Sequence, residues 1–303
     1  MNSTVTDLST VKTSALRYLS CLRLPDIVVL QGPPLLGAAF ALRQFNAEVV
    51  PPLCILLVAN VFLMAHVFTL NDWSGLSADL ADRNKAAATF TARGVERRGI
   101  GRLTVVLLAV SLVLFSVLGA IASGLALAIA ALSTLYSVRP FNWKGRPFLS
   151  SVAHLAGGIL HFLLGYSLGN ALDGRGLAIA TFFALIFTAG HLTQEIRDYR
   201  GDAESGITTN AVMFGQRRTF LASLVLFGLA HLLLLLLAFR GIVARPMAAL
   251  AILFPLQIHW SLKTMREGFS YGSLSGLRAR YRALYAVVGL AMAAALLVAK
   301  VHA

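Results

Sequence analysis

The sequence predicts an all-α fold: a polytopic membrane bundle of about nine transmembrane helices around a central cavity, with cap loops on the cytoplasmic side. Three observations lead there. Hydrophobic residues make up 57% of the 303 residues and charged residues only 13%, more apolar side chain than a soluble protein of this size hides. The apolar runs are rich in Ala, Leu and Val and lack the period-2 alternation of a membrane barrel. The basic residues gather on alternate connections between the runs, as the positive-inside rule requires.

The expected spans, in chain order, are 25–42, 51–70, 103–121, 123–137, 151–169, 177–194, 219–238, 246–262 and 283–301. Each is close to the length that crosses about 30 Å of hydrocarbon, the fourth being short. With the N-terminus in the cytoplasm, inner segments carry 21 Lys and Arg. The outer side holds 5, namely Arg43, Arg175, Arg240, Arg245 and Lys300. The net charge of +13 therefore follows membrane topology, and the expected partner surface is a lipid bilayer rather than nucleic acid. The expected location is the bacterial inner (cytoplasmic) membrane, multi-pass, with an outer C-terminus.

No Ser/Gly linker divides the chain, so residues 1–303 are read as a single domain with a polar N-terminal segment at 1–20. No cleavable signal peptide is expected, because the first long apolar run continues past any plausible cleavage point. Cys21 and Cys54 lack metal or redox spacing and read as small residues in apolar segments. The inner loops 71–102, 138–150 and 195–218 are long or polar enough to cap a cavity. The outer connections are short, which places a site at the cytoplasmic end of the bundle.

Two acidic clusters stand at matching ends of the second and sixth spans. The first runs Asn71-Asp72-Trp73-Ser74-Gly75-Leu76-Ser77-Ala78-Asp79 and on to Asp82; the second runs Gln194-Glu195-Ile196-Arg197-Asp198-Tyr199-Arg200-Gly201-Asp202. Carboxylates beside apolar spans are costly unless a cation or a partner charge compensates them. If the second span continues as a helix, Asn71, Gly75, Asp79 and Asp82 fall close to one face, with Asp72 beside them. Glu195, Asp198 and Asp202 share a face by their i, i+3, i+7 spacing. Two facing sets of hard oxygen ligands suit Mg²⁺ bridging a phosphate-bearing substrate. The bland alternative is a pair of solvated helix ends matched to Arg83, Arg197 and Arg200. The matched helix-and-motif pairs also suggest a weak internal repeat.

The chain resembles the UbiA superfamily of intramembrane prenyltransferases. The family's N-D-x-x-D-x-x-x-D motif appears as Asn71-Asp72-x-x-Gly75-x-x-x-Asp79, and its D-x-x-x-D motif as Asp198-x-x-x-Asp202. Glu195 stands where many members have another Asp. Gly206-Ile207-Thr208-Thr209, ending at Gly215, resembles the family's G-I-x-T…G, and Tyr136-Ser137-Val138-Arg139-Pro140…Lys144 its Y-S-x-x-P…L-K segment. Two departures stand out: Gly75 replaces a central Asp that is typically a metal ligand, and Lys85-Ala86-Ala87-Ala88 replaces the usual Arg-Pro.

The resemblance implies Mg²⁺-dependent ionisation of an allylic isoprenyl diphosphate and capture of the carbocation by an acceptor whose identity the sequence does not give. It implies catalytic roles for Asp72, Asp79, Asp198, Asp202 and Lys144. Metal ligation would fall to Asn71, Asp72, Asp79, Glu195, Asp198 and Asp202. Diphosphate binding would fall to Arg83, Lys85, Arg139, Lys144 and Arg146. Within the family, a terpene cyclase is the alternative, with a double bond of the same isoprenoid capturing the cation. A lipid or isoprenoid transporter is the alternative from another class, although a transporter would set its ionisable groups nearer the mid-membrane. Tyr199 either faces the cation or packs at the interface. His154 and His161 share a face of the fifth span and are expected mainly to pack. His191, four residues before Glu195, is expected to line the pocket.

Overall fold

Proline placement decides the first turn of the bundle. The computed structural model describes residues 16–42, 44, 46–169 and 171–301. The first span is two helices, α1 (Leu24–Val29) and α2 (Gly32–Ala41). Pro33 and Pro34 have no N–H, so the carbonyls four residues before them lose their helical partners. The Leu30 carbonyl is satisfied by Asn60 Nδ2 at 3.2 Å, which also reaches Gln31 Oε1 at 2.9 Å. His161 Nε2 donates in turn to Asn60 Oδ1 at 2.9 Å. Each member of this buried network has a partner, as burial in hydrocarbon demands.

The rest follows as α3 (Val50–Ala81), α4 (Arg97–Val117), α5 (Ala120–Ser137), α6 (Leu149–Tyr166) and α7 (Gly174–Glu204). After them come the short α8 (Asn210–Phe214), then α9 (Gln216–Phe239), α10 (Leu253–Glu267) and α11 (Tyr271–Val301). No strand occurs among the described residues. Among the described residues eight segments are long and apolar enough to cross a membrane, which makes the chain a multi-pass integral membrane protein. The expected eighth span, 246–262, differs. It begins as a 3₁₀ stretch, Arg245–Ile252, and becomes α-helical only over the 15 residues of α10. Pro246 accounts for the start, since its ring suits the first turn but cannot lie further inside a helix.

Among the described residues three helices, α3, α7 and the 31-residue α11, are much longer than a membrane crossing requires, and the first two carry the acidic motifs. α3 has 32 residues and α7 has 31, so each spans about 46–48 Å against roughly 30 Å of hydrocarbon. The surplus turns carry the acidic motifs clear of the apolar core.

Glycines let the central helices touch. A Cβ at Gly37 would fall on the Phe162 carbonyl oxygen, and one at Gly165 on the carbonyl oxygen of Pro34, so α2 and α6 meet backbone to backbone. Gly158 does the same for α6 and α7, where a Cβ would lie 2.8 Å from Ala184 Cα. Small residues at such crossings are the usual means of packing helices in lipid. Phe115, Phe162, Phe182 and Leu63 fill the larger core, and Phe220, Phe227 and Leu274 a second one near α11. The outward surface is apolar, with Phe239 82%, Ile252 78% and Leu290 71% exposed. That is the surface lipid requires.

Candidate active site at the motif-bearing ends of α3 and α7

A cavity of about 520 Å³ opens between α3 and α7. α3 contributes Asn71, Asp72 and Asp79; α7 contributes His191, Gln194, Glu195, Arg197, Asp198 and Asp202. All three loops expected to cap a site reach it, through Lys85 and Arg93, through Lys144, and through Thr209. The two acidic motifs, more than a hundred residues apart in sequence, therefore face one space.

The local folding of the second motif explains its downstream residues. Gly206 turns the chain at φ 69° and Gly215 at φ 83°, in the left-handed region open to glycine. Between them the Thr209 side chain accepts the Val212 N–H at 3.4 Å and starts α8.

Asp198 and Asp202 are buried and Asp72 and Asp79 partly so, and Asp72 and Asp198 are ion-paired. Asp198 is 6% exposed, and Arg197 grips it with Nε on Oδ1 at 2.6 Å and Nη2 on Oδ2 at 3.0 Å. Lys85 Nζ reaches Asp198 Oδ2 at 3.0 Å and Asp82 Oδ2 at 3.6 Å. Burial works against the Lys85 charge, but Asp198, then Asp202 and Asp79, outweigh it and hold the ammonium above its ordinary value. Lys85 thus bridges the two motifs. Asp72 is ion-paired with Arg23, whose guanidinium also lies 5.6 Å from the Phe68 ring centre. Lys144 Nζ stands 3.8 Å from where a Cβ would project at Gly75.

Of the expected site residues, Asn71, Asp72, Asp79, Lys85, Lys144, Glu195, Asp198 and Asp202 all line the cavity. Arg83, Arg139 and Arg146 do not; they are exposed, on the outside of their loops. Asp82, which helical spacing puts close to the face of Gly75 and Asp79, is turned behind the site against Gly201. There its Oδ1 accepts the Asn84 N–H at 2.9 Å. Arg23 and Arg93 line the cavity although only their topological charge was legible beforehand, and Arg197, read from the sequence as a partner of the acidic helix ends, lines it too. His191 lines it and stacks on His154, ring centres 3.5 Å apart and planes 7° apart, with the Tyr136 ring edge-on to both.

The donor set suits a hard cation. Asp72, Asp79, Asp198 and Asp202 offer only oxygens, and Asn71 Oδ1 is buried with no hydrogen-bond partner. Among the described residues no three His, Cys, Asp or Glu side chains close into a cage. Mg²⁺ in phosphate-handling sites keeps waters and takes substrate oxygens rather than filling its shell from protein, so an open set of this kind fits it.

The UbiA prenyltransferase family model matches residues 32–270. A lycopene elongase/hydratase of Haloferax volcanii is 33% identical over 216 residues, 67% of each chain. The lycopene elongase/hydratase of Haloarcula japonica is 30% identical over 196 residues, which span 63% of this chain and 64% of that relative's length. Among solved structures, a UbiA homolog from Archaeoglobus fulgidus bound to GPP and Mg²⁺ superposes with a TM-score of 0.69 at 19% identity. The match covers 92% of this chain and 99% of that one. A digeranylgeranylglyceryl phosphate synthase superposes with a TM-score of 0.67 at 17% identity, over 93% and 98%. The match over most of its length, together with the helical fold and the two motif-bearing helix ends, makes this chain a member of the UbiA prenyltransferase family.

Proposed function

We propose that this membrane prenyltransferase transfers an isoprenyl group from an allylic isoprenyl diphosphate to an apolar polyene acceptor. The observation that carries the reading is that Asp72 and Asp79 on α3, and Asp198 and Asp202 on α7, line one cavity with Lys85 and Lys144. Acid on two walls and ammonium groups beside it is what a metal-bridged diphosphate requires. The acceptor class is motivated by the two haloarchaeal relatives, each a lycopene elongase/hydratase.

In this reading Asn71, Asp72, Asp79, Asp198 and Asp202 would hold Mg²⁺. When bound, the ion neutralises diphosphate oxygens and stabilises the charge that grows on them as the donor ionises. Lys144 and Lys85 bind the same leaving group as point charges, and Arg23 is released from Asp72 to join them. The donor C–O bond breaks with its electron pair leaving on the diphosphate. A double bond of the acceptor supplies the pair for the new C–C bond, and the cation so formed loses a proton to the released diphosphate. The isoprenyl tail lies toward the apolar bundle, which keeps water from the cation. Residues 1–303 act as one domain in the cytoplasmic membrane of a prokaryote, the bacterial inner membrane in the sequence expectation. The N-terminus and the site face the cytoplasm.

The test is incubation of purified protein in detergent with labelled C5, C10, C15 and C20 diphosphates, with and without lycopene and a panel of aromatic and glycerol-phosphate acceptors. Mg²⁺-dependent labelling of the polyene is expected. Labelling of an aromatic or phosphate acceptor alone would overturn the acceptor class. Diphosphate release with a cyclised product and no acceptor would favour cyclisation over transfer.

A further inference from the structure

We propose that Glu195 is a positioning residue that fastens the Lys144 loop to the second acidic helix, and that it is not a metal ligand in this chain. A carboxylate has about four lone-pair directions to offer, and here both oxygens face donors from three groups, the Ser150 hydroxyl, the Asn210 backbone N–H and the Asn210 amide. Oε1 accepts from Ser150 Oγ at 2.8 Å and from Asn210 Nδ2 at 3.2 Å. Oε2 accepts from the Asn210 backbone N–H and from Asn210 Nδ2, both at 3.0 Å. Glu195 is 4% exposed, and His191 Nε2 closes its remaining side at 3.0 Å, off the line of a hydrogen bond. A cation would have to displace these donors and leave them buried without partners, each at a cost of about 1–3 kcal/mol. Asp198 differs. Its partners Lys85 and Arg197 are long side chains that can swing onto a diphosphate.

The knot reaches further than its own helix. Ser150 belongs to α6, Glu195 to α7 and Asn210 to α8. Asn210 Nδ2 also reaches Ser151 Oγ at 3.2 Å, and its Oδ1 accepts the Phe148 N–H at 2.9 Å. Phe148 ends the loop that carries Lys144 and sits at φ 63°, a left-handed conformation that a bulky side chain adopts only when its surroundings hold it. Its ring packs on Phe214 of α8, with centres 5.1 Å apart. Lys144 is four residues away. The chain of contacts Glu195–Asn210–Phe148 therefore sets where the Lys144 ammonium stands over the cavity. The identity of residue 195 matters for the same reason. An Asp there is shorter by one methylene, about 1.5 Å, and cannot reach Asn210 and Ser150 together.

This inference rests on the metal reading of Asp198 and Asp202, and the experiment keeps the two apart. Mn²⁺ binding is measured by electron paramagnetic resonance in the presence of thio-linked geranyl diphosphate. The proteins are the natural chain, Glu195→Gln, Glu195→Asp and Asn210→Ala, all below their unfolding temperatures. A nitroxide on Phe141→Cys, a 44% exposed site in the Lys144 loop, reports loop mobility in the same backgrounds. Mn²⁺ affinity should stay within about twofold in all three variants, while turnover falls about tenfold or more. The label should become more mobile, and Asp at 195 should not restore activity. Loss of Mn²⁺ binding in Glu195→Gln with recovery in Glu195→Asp would overturn the proposal and make Glu195 a ligand. If the natural protein binds no Mn²⁺, the metal reading fails, and the label still decides the tie: unchanged mobility in Glu195→Gln and Asn210→Ala would refute it.

Discussion

Gly75 leaves a place for the carboxylate it lacks. A Cβ there would have ordinary contacts, 3.7 Å from Asp79 Oδ2 and 3.8 Å from Lys144 Nζ, so Gly75→Asp is accommodated without displacing backbone. The new carboxylate adds a hard ligand and an ion-pair partner for Lys144. The Mg²⁺ concentration for half-maximal turnover should fall in this variant; an unchanged Mg²⁺ titration would show that the α3 motif does not bind metal. Much of the site at this scale was legible in the sequence, because Asp72, Asp79, Asp198 and Asp202 are acids at the ends of apolar spans and burial there demands a reason. Which cations serve them was not. Arg23 and Asp72 are 49 residues apart, and an arginine before a span satisfies the positive-inside bias whether it faces the cavity or the water. Arg139 and Arg146, expected as diphosphate binders, are exposed and do not line the cavity. Glu195 shows the opposite limit, since its three donor groups come from Ser150 and Asn210, whose approach only the tertiary fold decides.

The helices themselves carry the next set of tests. α7 begins at Asp173, whose carboxylate accepts the Gly176 N–H at 2.7 Å and the Tyr166 hydroxyl at 3.0 Å. The Gly176 bond, against slight burial, holds its pKa below the usual carboxylate range. A group depressed in the folded state stabilises above its unfolded value, about 3.9, and that contribution fades as pH falls through the folded value. Asp173→Ala should therefore lower stability by about 1 kcal/mol near neutrality, and the gap to the natural protein should close below about pH 4, as read by thermal unfolding in detergent. Gly165 tests the crossing of α2 and α6. Its Cβ would meet Pro34 backbone, so Gly165→Ala should destabilise by about 1–3 kcal/mol, whereas Gly124→Ala, with nothing within 4 Å, should not. Equal unfolding temperatures for the two would mean that α2 and α6 do not touch as described. The lengths of α3 and α7 were half visible beforehand. Hydropathy marks where a span leaves the lipid, but nothing in it says that the helix continues through the acidic turns. The 246–262 segment was legible as helical but not in its kind, since a 3₁₀ stretch, Arg245–Ile252, precedes α10.

At the scale of the whole molecule, the claim is that two halves of a bundle close over one diphosphate on one side of the membrane. Cysteines placed at 86–95 and 203–210 should react with an impermeant thiol reagent from the cytoplasmic side only, and one at 171–176 from the other side only. Labelling of the first two groups from opposite sides would break the single-site account. The most direct test of that account is binding rather than turnover. Titration calorimetry with thio-linked geranyl diphosphate and Mg²⁺ should give one site in the natural protein. Asp72→Ala on α3 and Asp198→Ala on α7 should each weaken that same site by about tenfold or more, with the fold retained by circular dichroism. Binding that survives intact when either helix loses its carboxylate would contradict a site shared between α3 and α7.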